Sequence, residues 1–210
     1  MQDIRREYQK DYLLENEVDP DPFQQFRFWF DDALRADILD PNAMALATSY
    51  KNKPSIRIML LKGLDARGFV FFTNYHSRKG NEMERNPRAA LLFYWDKLER
   101  QVRIEGLVEK IDEQSSDDYF RSRPRGSRIG ALASPQSTII ESRDVLEKKV
   151  AELEEKYRNI EDIQRPSYWG GYRLVPHYFE FWQGRPCRLH DRIVYELVPA
   201  GEWKIFRLAP

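Results

Sequence analysis

Cysteine is almost missing from this chain of 210 residues; Cys187 stands alone. A single thiol excludes an internal disulfide framework and points to a reducing compartment. Histidine is nearly as scarce. His76, His177 and His190 lie far apart, and with one cysteine they offer no spacing for a structural zinc site, so no metal is expected. Net charge is missing too, with 34 Lys and Arg against 34 Asp and Glu. A dedicated nucleic-acid binder usually carries a basic domain. The longest apolar run, Ala89 to Trp95, falls far short of the roughly 20 residues a membrane span needs. The opening stretch, MQDIRREYQKDYL, lacks the apolar centre of a signal peptide. The expectation is a soluble, cytoplasmic protein with no membrane or nucleic-acid partner. GxGxxG and P-loop sequences are absent, so dinucleotide and nucleoside-triphosphate sites of those types are unsupported.

What is present fits a globular fold. Apolar residues make up 41% and aromatics 13%. Residues 1–20 are polar and read as an arm that is mobile or lies over something else. Asp21 or Asp19 can cap a helix starting near Pro22, with Phe23, Phe26, Phe30 and Leu34 at helical spacing. The middle changes period. AMALATSY (43–50), SIRIMLLK (55–62), GFVFFT (68–73), AALLFYW (89–95) and RQVRIEGLVEKI (100–111) read as strands between turns. Ile56, Ile58 and Leu60 alternate with Arg57 and Met59, and Val102 and Ile104 with Gln101, Arg103 and Glu105, which predicts one buried face per strand. Helices are predicted at 77–86, capped by Ser77, at 112–123, and from about 142 to 158. Strands return at 177–184, 191–198 and 202–208. The fold class read from this order is α+β, a mostly antiparallel barrel with peripheral helices, with 21–210 as one domain.

Four stretches carry candidate chemistry. SRKG (77–80) opens a helix, where free N–H groups and partial positive charge favour an anion. Arg78 and Lys79 are unfavourable there unless an anion is bound; a solvated basic turn is the plain alternative. RSRPRGSRIG (121–130) holds four arginines in eight residues. Arg123 and Ser127 can converge on one phosphate, and a solvated loop is an equal alternative. No aromatic platforms interleave with these arginines, as a single-strand binder would need. SIRIMLLK places Arg57 and Lys62 in an apolar strand with opposite parity, where a buried cation needs an anionic partner. In EFWQGRPCRLHDR (180–192), Arg188, His190 and Arg192 share strand parity, which suggests a nearby anion and a histidine held neutral. An exposed edge strand is the alternative.

In order along the chain, RREY, RIMLLK, FFTNYHSRKG, RQVRIEG, YFRSRPRGSRIG, SPQS, WGGY, EFWQG and RLHDR resemble the pyridoxine/pyridoxamine 5′-phosphate oxidase family. The resemblance spans essentially the whole chain. It implies a split β-barrel that works as a homodimer with FMN at the subunit interface. The activity it implies is oxidation of pyridoxine 5′-phosphate or pyridoxamine 5′-phosphate to pyridoxal 5′-phosphate, by hydride transfer to flavin N5, with O2 reduced to H2O2. Protein groups then orient the reactants, and the flavin carries the chemistry.

Residue by residue, the resemblance implies FMN contacts from Arg57, Lys62, Phe72, Thr73, Arg78, Lys79 and Gln101. Gln136, Ser137, Trp182 and Arg192 would reach FMN from the partner subunit. Lys62, Tyr119, Arg123 and Ser127 would hold the substrate phosphate, and Arg188 and His190 would sit at the substrate ring as the catalytic pair. Phe72 stands where some relatives have Tyr, so a contact there must come from backbone. Three rivals are a related flavin oxidase acting on phenazine precursors, a non-catalytic FMN or pyridoxal-phosphate carrier, and RNA binding through RSRPRGSR. An unphosphorylated substrate needs no second phosphate site, a carrier needs no Arg/His cluster, and RNA binding would show steep salt dependence.

Overall fold

The computed structural model describes residues 7–210. The element order is α1 (Pro22–Arg35), β1 (Ala43–Tyr50), β2 (Lys53–Leu60), β3 (Gly63–Asp65), β4 (Gly68–Asn74), α2 (Arg78–Arg85), β5 (Arg88–Trp95), β6 (Arg100–Lys110), α3 (Glu113–Ser122), α4 (Arg125–Ala133), α5 (Arg143–Lys156), β7 (Trp169–Gln183), β8 (Asp191–Leu197) and β9 (Trp203–Arg207). Every strand pair among the described residues is antiparallel, in the order β2-β1-β5-β6-β7-β4-β3, with β8 on β7 and β9 on β8.

Strand β7 organises the barrel. Its first half pairs with β4, from Trp169 to Leu174, and its second half pairs with β8, from Tyr178 to Gln183. The change of neighbour falls where the β6–β7 register slips between Glu105 and Gly106. A bulge of this kind bends a strand and increases its twist. Only glycine fits there, since a Cβ on Gly106 would lie 2.2 Å from the Val175 carbonyl oxygen.

Helix α1 plugs the barrel. Asp21 Oδ1 accepts from the Phe23 amide at 2.9 Å and Pro22 takes the first helical position. The buried stripe is Phe26, Trp29 and Ala33, so the expected stripe shifts and Leu34 points outward. Phe26 meets Phe69 and Phe93 edge-on at 4.9 and 5.0 Å, and Trp29 meets Phe181 at 5.2 Å. Burying each such ring contributes roughly 1.5–3 kcal/mol. A second apolar cluster, Phe120, Ile129, Ala133, Leu153, Ile163 and Trp169, joins α3, α4 and α5 to the start of β7.

Two expectations are corrected here. RSRPRGSRIG is not a loop. Pro124 stands at the N-cap position, where its missing N–H costs nothing, and 125–133 is helical because Ile129 and Ala133 pack into the second cluster. The parity of β2 is inverted. Ile56, Ile58 and Leu60 are exposed, while Arg57 and Met59 face the protein, because Arg57 finds polar partners there. No described helix is long and apolar enough to cross a membrane.

Candidate active site

Thr73, next to last in strand β4, is buried, and Ser77 caps α2 by accepting from the Gly80 amide at 3.3 Å. Lys79, in the first turn of α2, is buried. Its Nζ donates to Thr73 Oγ1 and Gln136 Oε1 at 3.2 Å and to Ser77 Oγ at 3.4 Å. All three acceptors are neutral. Burial first, then the charge of Arg57, pushes the Lys79 ammonium down to about 8.

Arg57 reaches the same region from β2. It donates to Thr48 Oγ1 at 2.6 Å, Ser55 Oγ at 2.5 Å and Glu82 Oε2 at 3.3 Å. Burial lowers its pKa, against the pull of Glu82. Glu82 was not singled out from the sequence. Its Oε2 also accepts from Thr48 and Ser55 at 2.6 and 2.5 Å, and its Oε1 accepts from Arg78 Nε at 2.8 Å. Burial works to raise its pKa, but these donors hold the carboxyl down at about 2. The i,i+4 spacing of Arg78 and Glu82 was the available signal.

A second cation-lined place lies beside the first. Phe72 stacks on Tyr119 at 3.8 Å and on Trp169 at 5.5 Å, so its side chain, and not only its backbone, shapes the site. The Arg123 guanidinium lies over the Trp169 ring at 4.7 Å. Its Nη1 is buried and has no hydrogen-bond partner among the described residues, and burial lowers its pKa. Lys62, Phe72, Thr73, Lys79, Tyr119, Arg123, Ser127 and Gln136 line one cavity of about 520 Å³. Lys62 is exposed, contrary to a buried strand cation, because β2 ends at Leu60. The other arginines of the cluster serve structure. Arg125 donates to the Tyr157 and Ile160 carbonyls, Arg128 to that of Glu161, and Arg121 pairs with Asp118.

A separate group sits on the face of β6, β7 and β8 that points away from the core. Gln101 is opposite Trp182, and Trp182 is opposite Arg192, so the three form one cross-strand row. His190 precedes β8 and packs on Trp182 at 4.7 Å and Tyr8 at 5.6 Å. Its Nδ1 accepts from the Arg185 amide at 3.1 Å. Burial, then the Arg188 charge, pushes its pKa down, which favours the neutral ring. Arg188 does not share a strand face with Arg192. It sits in a short 3-10 turn (Pro186–Arg188) with φ +62°, because β8 begins only at Asp191.

Two of the implied contact residues fall into different groups within the chain. Gln136 bonds Lys79 and Thr73 of its own chain, whereas Gln101 sits beside Trp182 and Arg192. Gln136 therefore groups with the α2 site, and Gln101 with the sheet-face row. Ser137, exposed with φ +72°, follows Gln136. None of Gln101, Trp182, Arg188, His190 or Arg192 lines the 520 Å³ cavity.

Residues 30–157 match the family model described as pyridoxamine 5′-phosphate oxidase, and residues 169–210 match the pyridoxine 5′-phosphate oxidase C-terminal dimerisation region. The chain belongs to the pyridoxamine 5′-phosphate oxidase family. The pyridoxine/pyridoxamine 5′-phosphate oxidase of Cupriavidus necator is 57% identical over 209 residues, covering 99% of this chain and 98% of that protein. Its counterpart in Trichormus variabilis is 56% identical, with 99% and 97% covered. Among solved structures, PhzG from Burkholderia lata, in complex with tetrahydrophenazine-1-carboxylic acid, aligns with TM-score 0.88 at 32% identity, covering 95% of this chain and 98% of that one. A pyridoxamine 5′-phosphate oxidase-related, FMN-binding protein from Nostoc punctiforme shares the fold, with TM-score 0.69 at 17% identity over 88% of this chain and 97% of that one. In this member of the oxidase family the dimerisation region covers β7, β8 and β9, the strands that carry Trp182 and Arg192.

Proposed function

We propose that the protein is an FMN-dependent oxidase that converts pyridoxine 5′-phosphate or pyridoxamine 5′-phosphate to pyridoxal 5′-phosphate. Lys79 carries the proposal: a buried ammonium with only neutral acceptors, in the first turn of a helix, is a site that wants an anion. The unpartnered Nη1 of Arg123 in the same cavity wants a second one. A phosphorylated cofactor and a phosphorylated substrate meet both needs, so the residues present fit FMN.

Arg57, Thr73, Arg78 and Lys79 would hold the FMN phosphate, with Lys62, Phe72, Gln136 and Ser137 along the same cofactor. Gln101, Trp182 and Arg192 would meet the ring system from the partner subunit of a homodimer. Tyr119, Arg123, Ser127 and Lys62 would hold the substrate phosphate. Bound FMN supplies the two-electron acceptor, which O2 regenerates with release of H2O2. Arg188 would orient the substrate carbon that gives up hydride and would assist removal of the proton on its hydroxyl or amine. Neutral His190 supports the substrate ring and keeps a second cation away from Arg188.

The PhzG likeness favours a phenazine-type substrate as the second reading. The Arg123 site weighs against it, because a carboxylate-bearing ring system needs no separate phosphate pocket. An anaerobic absorbance spectrum of the FMN-loaded protein separates the two. Pyridoxamine 5′-phosphate should bleach the flavin band, and air should restore it. A band that stays unchanged with both B6 phosphates would remove the proposed substrate.

A further inference from the structure

Glu180 lies two residues before Trp182 on the same strand, and so on the same face of β7. It is 3% exposed. A carboxylate this buried costs stability unless it is fully paired. Both oxygens are in use. Oε1 accepts from Arg192 Nε at 2.7 Å. Oε2 accepts from Arg103 Nη2 at 2.5 Å and from the Tyr178 hydroxyl at 3.2 Å. Arg103, directly opposite Glu180 on β6, also pairs with Glu105 and lies over the Tyr178 ring at 4.9 Å. Burial pushes the Glu180 carboxyl up, the two guanidiniums pull it down, and the guanidiniums prevail.

Arg192 is the beneficiary. Its Nε is held by Glu180, and its Nη1 donates to the Ala209 carbonyl at 2.8 Å. Its Nη2 has no partner among the described residues. Two bonds at different nitrogens fix the plane of a guanidinium, and the third nitrogen then points one way. A lysine cannot do this, since its charge sits on one rotatable ammonium.

We infer that Glu180 is a positioning residue for cofactor binding: it locks the Arg192 guanidinium into the Gln101–Trp182–Arg192 row and leaves Nη2 to bond the flavin. This rests on the reading of that row as the partner subunit's flavin contact. Arg103 supplies the counter-charge, so that the buried carboxylate can be ionised without drawing Arg192 away from its place.

The test is FMN affinity of the dimeric apoprotein, read from quenching of flavin fluorescence, in a double-mutant cycle. Glu180→Gln keeps the shape and removes the charge. It should weaken FMN binding about tenfold, the scale of one charge-assisted hydrogen bond. Arg192→Ala should weaken it at least as much. The double variant should bind no more weakly than Arg192→Ala alone. Additive losses, or an unchanged affinity in Glu180→Gln, would overturn the inference. Should Glu180→Gln fail to fold, Arg192→Lys decides, because it keeps the charge and loses the two-point grip. Loss comparable to Arg192→Ala supports positioning, and wild-type affinity overturns it. If the unsubstituted protein does not bind FMN at all, the reading of the site fails, and the inference fails with it.

Discussion

Nζ of Lys79 lies 3.2 Å from Oε1 of Gln136, an amide carried by the segment after α4. The contact joins the N-terminus of α2 to the segment that the family resemblance assigns to FMN contact from the partner subunit. It also defines the electrostatics, because the buried ammonium meets an amide and hydroxyls but no carboxylate among its hydrogen-bond acceptors. The pH dependence follows. Lys79 titrates near 8 in the folded apoprotein and ordinarily at 10.5. Between those values the unfolded chain binds the extra proton, so apoprotein stability rises with pH across that window, by roughly 3 kcal/mol. FMN affinity should move the opposite way, falling as pH rises through 8, because the phosphate needs the charged form. Melting curves of apoprotein and of Lys79→Met from pH 7 to 10 check the first effect, since the variant should lose the rise. FMN titrations over the same range check the second.

Glu82 holds Arg57 with one oxygen and Arg78 with the other. Glu82→Ala should free both arginines, leave Thr48 and Ser55 without their acceptor, and destabilise the fold by about 2–4 kcal/mol. It should weaken FMN more than riboflavin, which lacks the phosphate. Equal losses for the two ligands would mean that Glu82 supports the barrel without shaping the phosphate site. The wild-type carboxyl should stay ionised in mild acid, since it sits at about 2, while its contribution to stability fades progressively as pH falls from the ordinary 4.5 to that value.

The α2 site was legible in SRKG for a physical reason. Two cations at a helix N-terminus are unfavourable without an anion, which makes the segment a candidate site, and Glu82 meets one of the two. The barrel was legible because alternation and turn chemistry repeat along its strands. The parity of β2 was not. Alternation reports that Ile56, Ile58 and Leu60 share a face, but not whether the chain's own core covers it, and here it does not. Helix α4 was hidden because Pro124 and Gly126 read as breakers, whereas proline before the first turn is harmless. Glu82 and Glu180 were missed because a carboxylate in a charged chain looks like a solvated face. Only burial separates the two cases, and burial is a property of the fold.

Arg188 and Arg78 should fail differently. Arg188 is exposed in its turn, away from the α2 cluster. Arg188→Ala should lower turnover by a factor of about 100 or more, within the range for loss of a positioned acid–base group, and leave FMN retention unchanged. Arg78→Ala should weaken FMN binding and recover turnover when FMN is added in excess. Equal loss of turnover and FMN by Arg188→Ala would remove its assigned role.

The arm reaches His190 through Tyr8, and Gly184 makes room for it. A Cβ on Gly184 would lie 2.7 Å from the Tyr8 ring. The following residues are fastened independently. The Gln9 and Lys10 amides donate to Glu99, Asp11 pairs with Arg100 at 2.7 Å, the Leu13 amide donates to Asp191, and Glu15 pairs with Arg207 at 2.6 Å. Gly184→Ala should therefore displace Tyr8 without releasing the arm. His190 then loses part of its burial, the first cause of its lowered pKa, and moves back toward 6.5. Because a lowered histidine pKa rises when exposed, protonation begins at higher pH, beside the fixed charge of Arg188. The acid limb of the pH–rate profile should shift upward, with turnover below pH 6.5 falling several-fold and turnover near pH 8 almost unchanged. A profile lowered equally at every pH would mean that Tyr8 shapes the substrate site without controlling the charge of His190.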